Sequence, residues 1–413
     1  MLIKEKLEKL VEDSLRKTKI IDIHTHLYPP FFDKFFLRGI DDLLTYHYLV
    51  AETLRFIEID PQTFYSLLKK EQAEIVWETL FIKRSPLSEA ARGVLTILKE
   101  YGLDPNSKNL EEYRSFFNSL NPKEHINLVF EKANIDFVVM TNDPFDKEEM
   151  KFWNKEKDFD SRFKPSLRLD TLVNNWEEAF LFLREMGYEV SYEIDQGNKK
   201  EIKKFLEAIY NLMNPLYLAI SLPPDYRYPD NSLRNRILEE IIIPFAQEYK
   251  LTVALMIGVK RRINPLLRNA GDSLGKADIS AVENLCKRFP EVKFLVTMLS
   301  RENQHELCVT ARKFKNLMPF GCWWFLNTPL FVEEITRMRF ELLGLSFIPQ
   351  HSDARVLDQL IYKWKHSIEI IKRILVEKYL GLVEAGWEIK EEDIKRDLNQ
   401  LFKKNFEEYC LKR

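Results

Sequence analysis

The chain has 413 residues, 45% of them hydrophobic and 13% aromatic, which is enough to bury one large core or two to three smaller ones. Its 62 basic and 64 acidic residues leave a formal net charge of -2, so no global basic field is present to hold nucleic acid or an anionic membrane. Four cysteines without CxxC spacing argue against a disulfide framework and a zinc ribbon, and 12 glycines supply neither of the usual phosphate-binding loops.

The opening stretch MLIKEKLEKLVEDSLRKTK reads as a charged amphipathic helix rather than an apolar leader, and no run approaches the length of a membrane span. The expected setting is the cytoplasm. KIIDIH is the first of eight short apolar runs suited to buried parallel strands. The others are IDFVVMTN, FKPSLRL, LYLAISL, LTVALMIGV, VKFLVTML, LMPFGCWWFL and LGLSFIPQ. Charged, helix-periodic segments such as NSLRNRILEEIIIPFAQEYK separate the later runs, and this alternation predicts an α/β chain folded as one (β/α)8 TIM barrel over residues 1–413. One gap is long: residues 29–133 read as an aromatic-rich helical insertion after strand 1, packed over the C-terminal face where barrel active sites are built. Residues beyond about Lys363 read as closing helices, and no linker marks a second domain.

IDIHTH carries the first chemistry. Alternate residues of a strand share a face, so Asp22, His24 and His26 are expected to point the same way, and two imidazoles at that spacing can bind one divalent metal ion. Taken alone, the pair reads more readily as a satisfied set of strand-end histidines. A third ligand is offered by Asp353 in SFIPQHSDAR, since strands one and eight become neighbours when a barrel closes; as a loop carboxylate or helix cap it would do no chemistry.

DIHTH on a first strand with an Asp after the last is similar to the amidohydrolase superfamily, whose barrel is of the metal-dependent hydrolase type. GIDDLLTYHYL, TNDPFD, KPSLRLD, GDSLGKAD, FGCWWF and HSDAR, in that order along nearly the whole chain, resemble the uronate isomerases (glucuronate isomerases). The resemblance implies metal ligation by His24, His26 and Asp353, sugar handling by His47, Tyr48, Arg168 and Arg355, and a pocket lined by Trp323, Trp324 and Trp364. The family's Cys-Arg-x-x-Asp-His motif after the fourth strand is replaced by ISLPPDYRYP, which leaves Asp225 and Arg227 without an assigned role. Hydrolytic members of the superfamily take histidines from strands five and six. LTVALMIGV and VKFLVTML contain none, so a single metal ion is expected, with zinc foremost.

The implied activity interconverts D-glucuronate with D-fructuronate and D-galacturonate with D-tagaturonate by moving a proton from C2 to C1. Tyr48 would be the base if Arg355 and the metal stabilise its phenolate, because a free phenol titrates near ~10. Asp353 would carry protons during ring opening, and Arg168 with a protonated His47 would grip the sugar carboxylate. Other readings stand beside these. TYHY suits a core helix turn, Arg168 can pair with Asp170 or Asp143, and Arg262, Arg268 and Asp272 can brace the loop that starts at Arg261. A hydrolase or decarboxylase of the same superfamily is the alternative enzyme, and a non-catalytic sugar-acid binder the alternative class. Partners are expected to be a small hexuronate and, through aromatic surface on the insertion, a second copy of the chain.

Overall fold

The structure, a computed structural model, describes residues 2–155 and 159–411. Seven of the eight apolar runs are strands of one parallel sheet: β1 (Ile20–Thr25), β2 (Ile135–Asn142), β3 (Phe163–Arg168), β4 (Tyr217–Leu222), β5 (Thr252–Ile257), β6 (Phe294–Met298) and β7 (Leu317–Pro319). They are hydrogen-bonded in chain order. Both faces of the sheet are covered, which is why the runs are continuously apolar rather than alternating. Ile21, Ile23, Val139, Tyr217, Ala219, Met256 and Leu295 form an inner cluster, while Val138, Leu218, Ile220, Val253 and Val296 pack outward against helices.

The eighth run makes no strand. It contributes a single parallel bridge, Phe320 to Ile348, in which Gly321 N donates to Ile348 O at 2.9 Å and Ile348 N to Pro319 O at 3.0 Å. Pro319 and Pro349 lack the amide hydrogens that a longer ladder needs. Just beyond, the chain meets the other edge of the sheet: Asp353 N donates to His24 O at 3.1 Å and His26 N to Ala354 O at 2.7 Å.

Residues between β1 and β2 are helical, including α1 (His47–Leu54) and α2 (Pro122–Lys132). Arg114, 7% exposed, binds Asp41, Glu74 and Glu111 and so ties three of their helices together. Asp358, fully buried, accepts from His125 Nε2 at 2.6 Å, from Gly39 N at 2.8 Å and from the Tyr101 hydroxyl. This carboxylate locks the helical region to the start of α3 (Gln359–Glu384). After β5, a short ribbon pairs Val259–Lys260 with Ser273–Leu274, and Tyr65 Oη reaches its loop at Leu267 O (2.8 Å). At the opposite end of the sheet, Phe406, Tyr409 and Cys410 join the inner cluster, with Thr252 Oγ1 donating to Tyr409 O at 3.1 Å. Among the described residues no helix is long and apolar enough to cross a membrane.

Candidate active site

β1 does not hold strict alternation. Its register against β2 slips between Asp22 and Thr25, where one extra residue is inserted. The slip separates what the sequence pattern groups together. Asp22 turns to the helix side of the sheet, where Trp364 Nε1 (2.8 Å) and Ser352 N (3.1 Å) donate to it, whereas His24 and His26 face a cavity above the inner cluster. Burial lifts the Asp22 carboxyl to about 6 despite these hydrogen bonds.

His24 Nδ1 lies between Thr141 Oγ1 (3.4 Å) and Tyr217 Oη (3.5 Å). Each hydroxyl has one proton, and each proton is already committed: Thr141 donates to Thr25 O at 2.9 Å and Tyr217 to Ile23 O at 2.6 Å. Both oxygens can therefore only accept from the ring, which puts hydrogen on Nδ1 and leaves the Nε2 lone pair free. His24 Nε2 stands 3.8 Å and His26 Nε2 3.3 Å from Asp353 Oδ1, and the three side chains offer ligand atoms within 4.8 Å of one another. The His26 contact is not aligned as a hydrogen bond, so Asp353 Oδ1 is buried without a hydrogen-bond partner. Asp353 also holds a left-handed backbone, φ 51°, a conformation that is sparsely used outside glycine and concentrates at functional sites.

The electrostatics suit the same use. Burial, reinforced by the neighbouring His26, lowers His24 to about 3, and burial with Arg355 lowers His26 to about 4, so both rings are neutral and have a lone pair to offer a metal ion. Burial opposes the charge on Asp353, but His26, His24 and Lys363 hold its carboxyl well below the usual range. Two neutral imidazoles, one carboxylate and an orphaned buried oxygen are a donor set that can hold a divalent metal ion.

The remaining residues divide around a cavity of about 40 Å³. Arg168 lines it, but Nε and Nη2 are taken by Asp170 Oδ2 at 2.9 and 2.6 Å, and Asp170 Oδ1 accepts from Ser221 N at 2.6 Å. Only the outer edge of that guanidinium is left for a ligand. Arg355 also lines the cavity, and its guanidinium has no carboxylate partner among the described residues. His47, at the start of α1, lines it with Nε2 unpartnered, and burial together with Arg355 pushes the ring well below its usual pKa. His47 is neutral here, not the extra cation expected. Trp323 and Trp324 line it; Trp324 sits at φ 48° with the Arg261 guanidinium 6.0 Å from its ring.

Two expected residues stand back from the cavity. Tyr48 packs behind His47 (ring centroids 4.5 Å apart) with its hydroxyl buried and unpartnered, and burial, with Tyr46 and Asp353, drives its pKa well above 10. Trp364 is 1% exposed and bound to Asp22, outside the cavity wall. Asp225 and Arg227 are exposed and also outside it. The structure adds Thr141, Ser221 and Met256, which occupy positions near the C-terminal ends of β2, β4 and β5, and Arg261 from the ribbon loop. Their signal in the sequence is position alone, the last inward residues of parallel strands.

No family model matches the chain, and no curated protein does. Among solved structures, a uronate isomerase from Thermotoga maritima superposes with TM-score 0.78 (15% identity, 98% of this chain and 97% of that one). A glucuronate isomerase from Caulobacter crescentus superposes with TM-score 0.79 (14% identity, 99% and 95%). At such identities the likeness speaks for the fold, an α/β class built on a curled parallel sheet. A third, a uronate isomerase from Bacillus halodurans, is 50% identical over 99% of this chain and 97% of its own, with TM-score 0.97. The chain belongs to the uronate isomerase family.

Proposed function

We propose that the chain is an aldose–ketose isomerase of hexuronates, converting D-glucuronate to D-fructuronate and D-galacturonate to D-tagaturonate. The observation that carries this reading is the Arg355 guanidinium, unpaired among the described residues, which lines the same cavity as the ligand atoms of His24, His26 and Asp353. A sugar acid needs both a cation for its carboxylate and a polarised site for its carbonyl. Family membership at 50% identity supports it. We read the sheet together with the segment from Ile348 to Ala354 as a closed (β/α)8 barrel, on the strength of the Phe320–Ile348 bridge and the two backbone bonds to β1. The four free, buried cysteines support a reducing, cytoplasmic setting.

His24, His26 and Asp353 would hold one metal ion, for which a His₂Asp set of three ligands with an open position favours zinc. Bound there, the ion supplies Lewis acidity toward a sugar oxygen. The rest falls to this chain's side chains. Arg355 and the free edge of Arg168 orient the carboxylate, with His47 as a neutral hydrogen-bonding partner. Asp353, held ionised, receives the C2 proton; the C2–H electrons form the C1=C2 bond while the C1=O pair moves onto O1 to give an enediolate, and return of the proton to C1, with the O2 hydroxyl proton passing to O1, forms the C2=O of the ketose. Tyr48 is kept protonated by its surroundings, so we assign it to hydrogen-bond donation rather than proton abstraction. Strands β5 and β6 carry no histidine, which speaks against a two-metal hydrolase site.

The test is incubation of metal-loaded protein with each uronate in D₂O, followed by NMR. The expected result is ketose formation with exchange at the transferred hydrogen. Absence of turnover on both sugars would sink the reading.

A further inference from the structure

The cavity beside the ligand triad, at about 40 Å³, has room for about three waters, so a hexuronate whose reacting end lies there extends outward from it. It shares Arg168, Asp170, Ser221 and Arg261 with a groove of about 510 Å³ that leads outward. Four arginines line this groove, Arg168, Arg234, Arg261 and Arg262, against two carboxylates, Asp170 and Glu178. The excess of positive charge sits on a chain whose formal net charge is -2, so the field at the mouth is local and opposite in sign to the whole.

Two of these arginines have a task in the structure already: Arg168 is bound to Asp170 and Arg261 to Asp272, the latter at 2.7 Å. Arg234 and Arg262 make no ion pair with a carboxylate among the described residues, although Asp230 is close enough to feel the Arg234 charge. Arg234 is nevertheless positioned, because its Nε donates to Asn174 Oδ1 at 3.0 Å and Asn174 Nδ2 donates to Ser221 O at 2.8 Å. A neutral amide thus fixes the guanidinium without cancelling its charge. Arg262 stands on the ribbon loop with φ 50°, its backbone N donating to Asp272 Oδ1 at 2.8 Å. Two guanidinium groups without an ion pair, one from the short helix Leu233–Ile237 and one from the ribbon loop, therefore line one passage.

We infer that Arg234 and Arg262 form an outer anion site, which takes the carboxylate of an incoming sugar acid before it passes Arg261 and Arg168 into the cavity. The choice of a sugar acid as ligand rests on the isomerase reading; the site itself recognises a small oxyanion. Long-range attraction of this kind raises the local concentration of a charged substrate and is screened by salt.

The test compares the metal-loaded wild type with the double substitution Arg234→Gln and Arg262→Gln. On D-glucuronate at low ionic strength, kcat/KM should fall about tenfold with kcat retained, and the gap should close as salt is added. The charge-keeping pair Arg234→Lys and Arg262→Lys should stay near the wild type. Calorimetric titration with inorganic phosphate gives a readout independent of turnover, and the glutamine pair should lose affinity several-fold. If neither uronate is turned over, the isomerase reading fails and the phosphate titration alone decides the outer site. Unchanged phosphate affinity, an unchanged salt dependence, or a loss that falls on kcat rather than KM each overturns the proposal.

Discussion

Trp364 Nε1 donates to Asp22 Oδ2 at 2.8 Å, across 342 residues of chain. Because Ser352 N donates to the other oxygen, one buried carboxylate ties the strand that carries His24 and His26 to the segment that carries Asp353. The family resemblance puts Trp364 at the pocket; the bond to Asp22 puts it behind the ligands. Trp364→Phe keeps most of the ring volume but strands a buried acceptor. It should cost about 1–3 kcal/mol in chemical denaturation and weaken metal binding, while KM at saturating metal stays constant. A raised KM with unchanged stability would restore the pocket role.

The tautomer of His24 rests on two hydroxyls whose protons point elsewhere. Thr141→Val keeps the shape and removes one acceptor from Nδ1, so the metal dissociation constant in a chelator competition should rise about 10–100-fold. Equal affinity would mean that Thr141 does not orient the ring.

Glu149 is 1% exposed and accepts from Trp153 Nε1, Asn142 Nδ2, Asp143 N and the Tyr28 hydroxyl; burial nevertheless raises its carboxyl to about 7. The folded state then holds a proton that the unfolded chain has released above its ordinary value of 4.5. Stability should decline as pH rises from about 4.5 to 7, by at most about 3 kcal/mol from this group. Glu149→Gln should flatten that part of the curve in denaturant titrations at stepped pH. A slope identical to the wild type would contradict the assignment.

Gly321 has φ 59°, and a Cβ there would stand 1.8 Å from His351 Nδ1. His351 in turn packs edge-on to His24 at 5.4 Å. Gly321→Ala should lose more than about 3 kcal/mol and loosen the metal site. Gly386→Ala is the control: φ there is 87°, nothing lies within 4 Å, and only about 1 kcal/mol should be lost.

Arg355→Lys preserves charge but not the planar fork. If Arg355 meets the sugar carboxylate, kcat/KM on D-glucuronate should fall about 100-fold while metal content, read by elemental analysis, stays at the wild-type level.

The sequence is a good guide wherever chemistry follows strand periodicity. Continuous apolar runs mark β1 to β7 because each strand is covered on both faces, and His24, His26 and Asp353 do converge. Asp22 escapes that logic because a slip of one residue between Asp22 and Thr25 reverses its face, and single-residue slips leave no composition signature. The eighth run reads as a strand but makes one bridge, since Pro349 removes a donor from it and Pro319 one from the neighbouring β7. Roles that depend on burial leave no mark in the sequence either: the protonation of Tyr48 is set by burial with Tyr46 and Asp353, and the neutrality of His47 by burial with Arg355. Arg261 and Ser221 carry no motif at all; only their place above the strands brings them to the cavity.

Asp353 N reaches His24 O only after more than three hundred intervening residues have been laid into the sheet. During synthesis on a ribosome, the two histidines therefore emerge early and wait as a bare pair. The third ligand leaves the exit tunnel only more than three hundred residues after them. Capture of a metal ion by all three would thus be a late event, and it would report that the segment carrying Asp353 has met β1. Fragments ending before residue 353 should be blind to the ion at concentrations that saturate the whole chain.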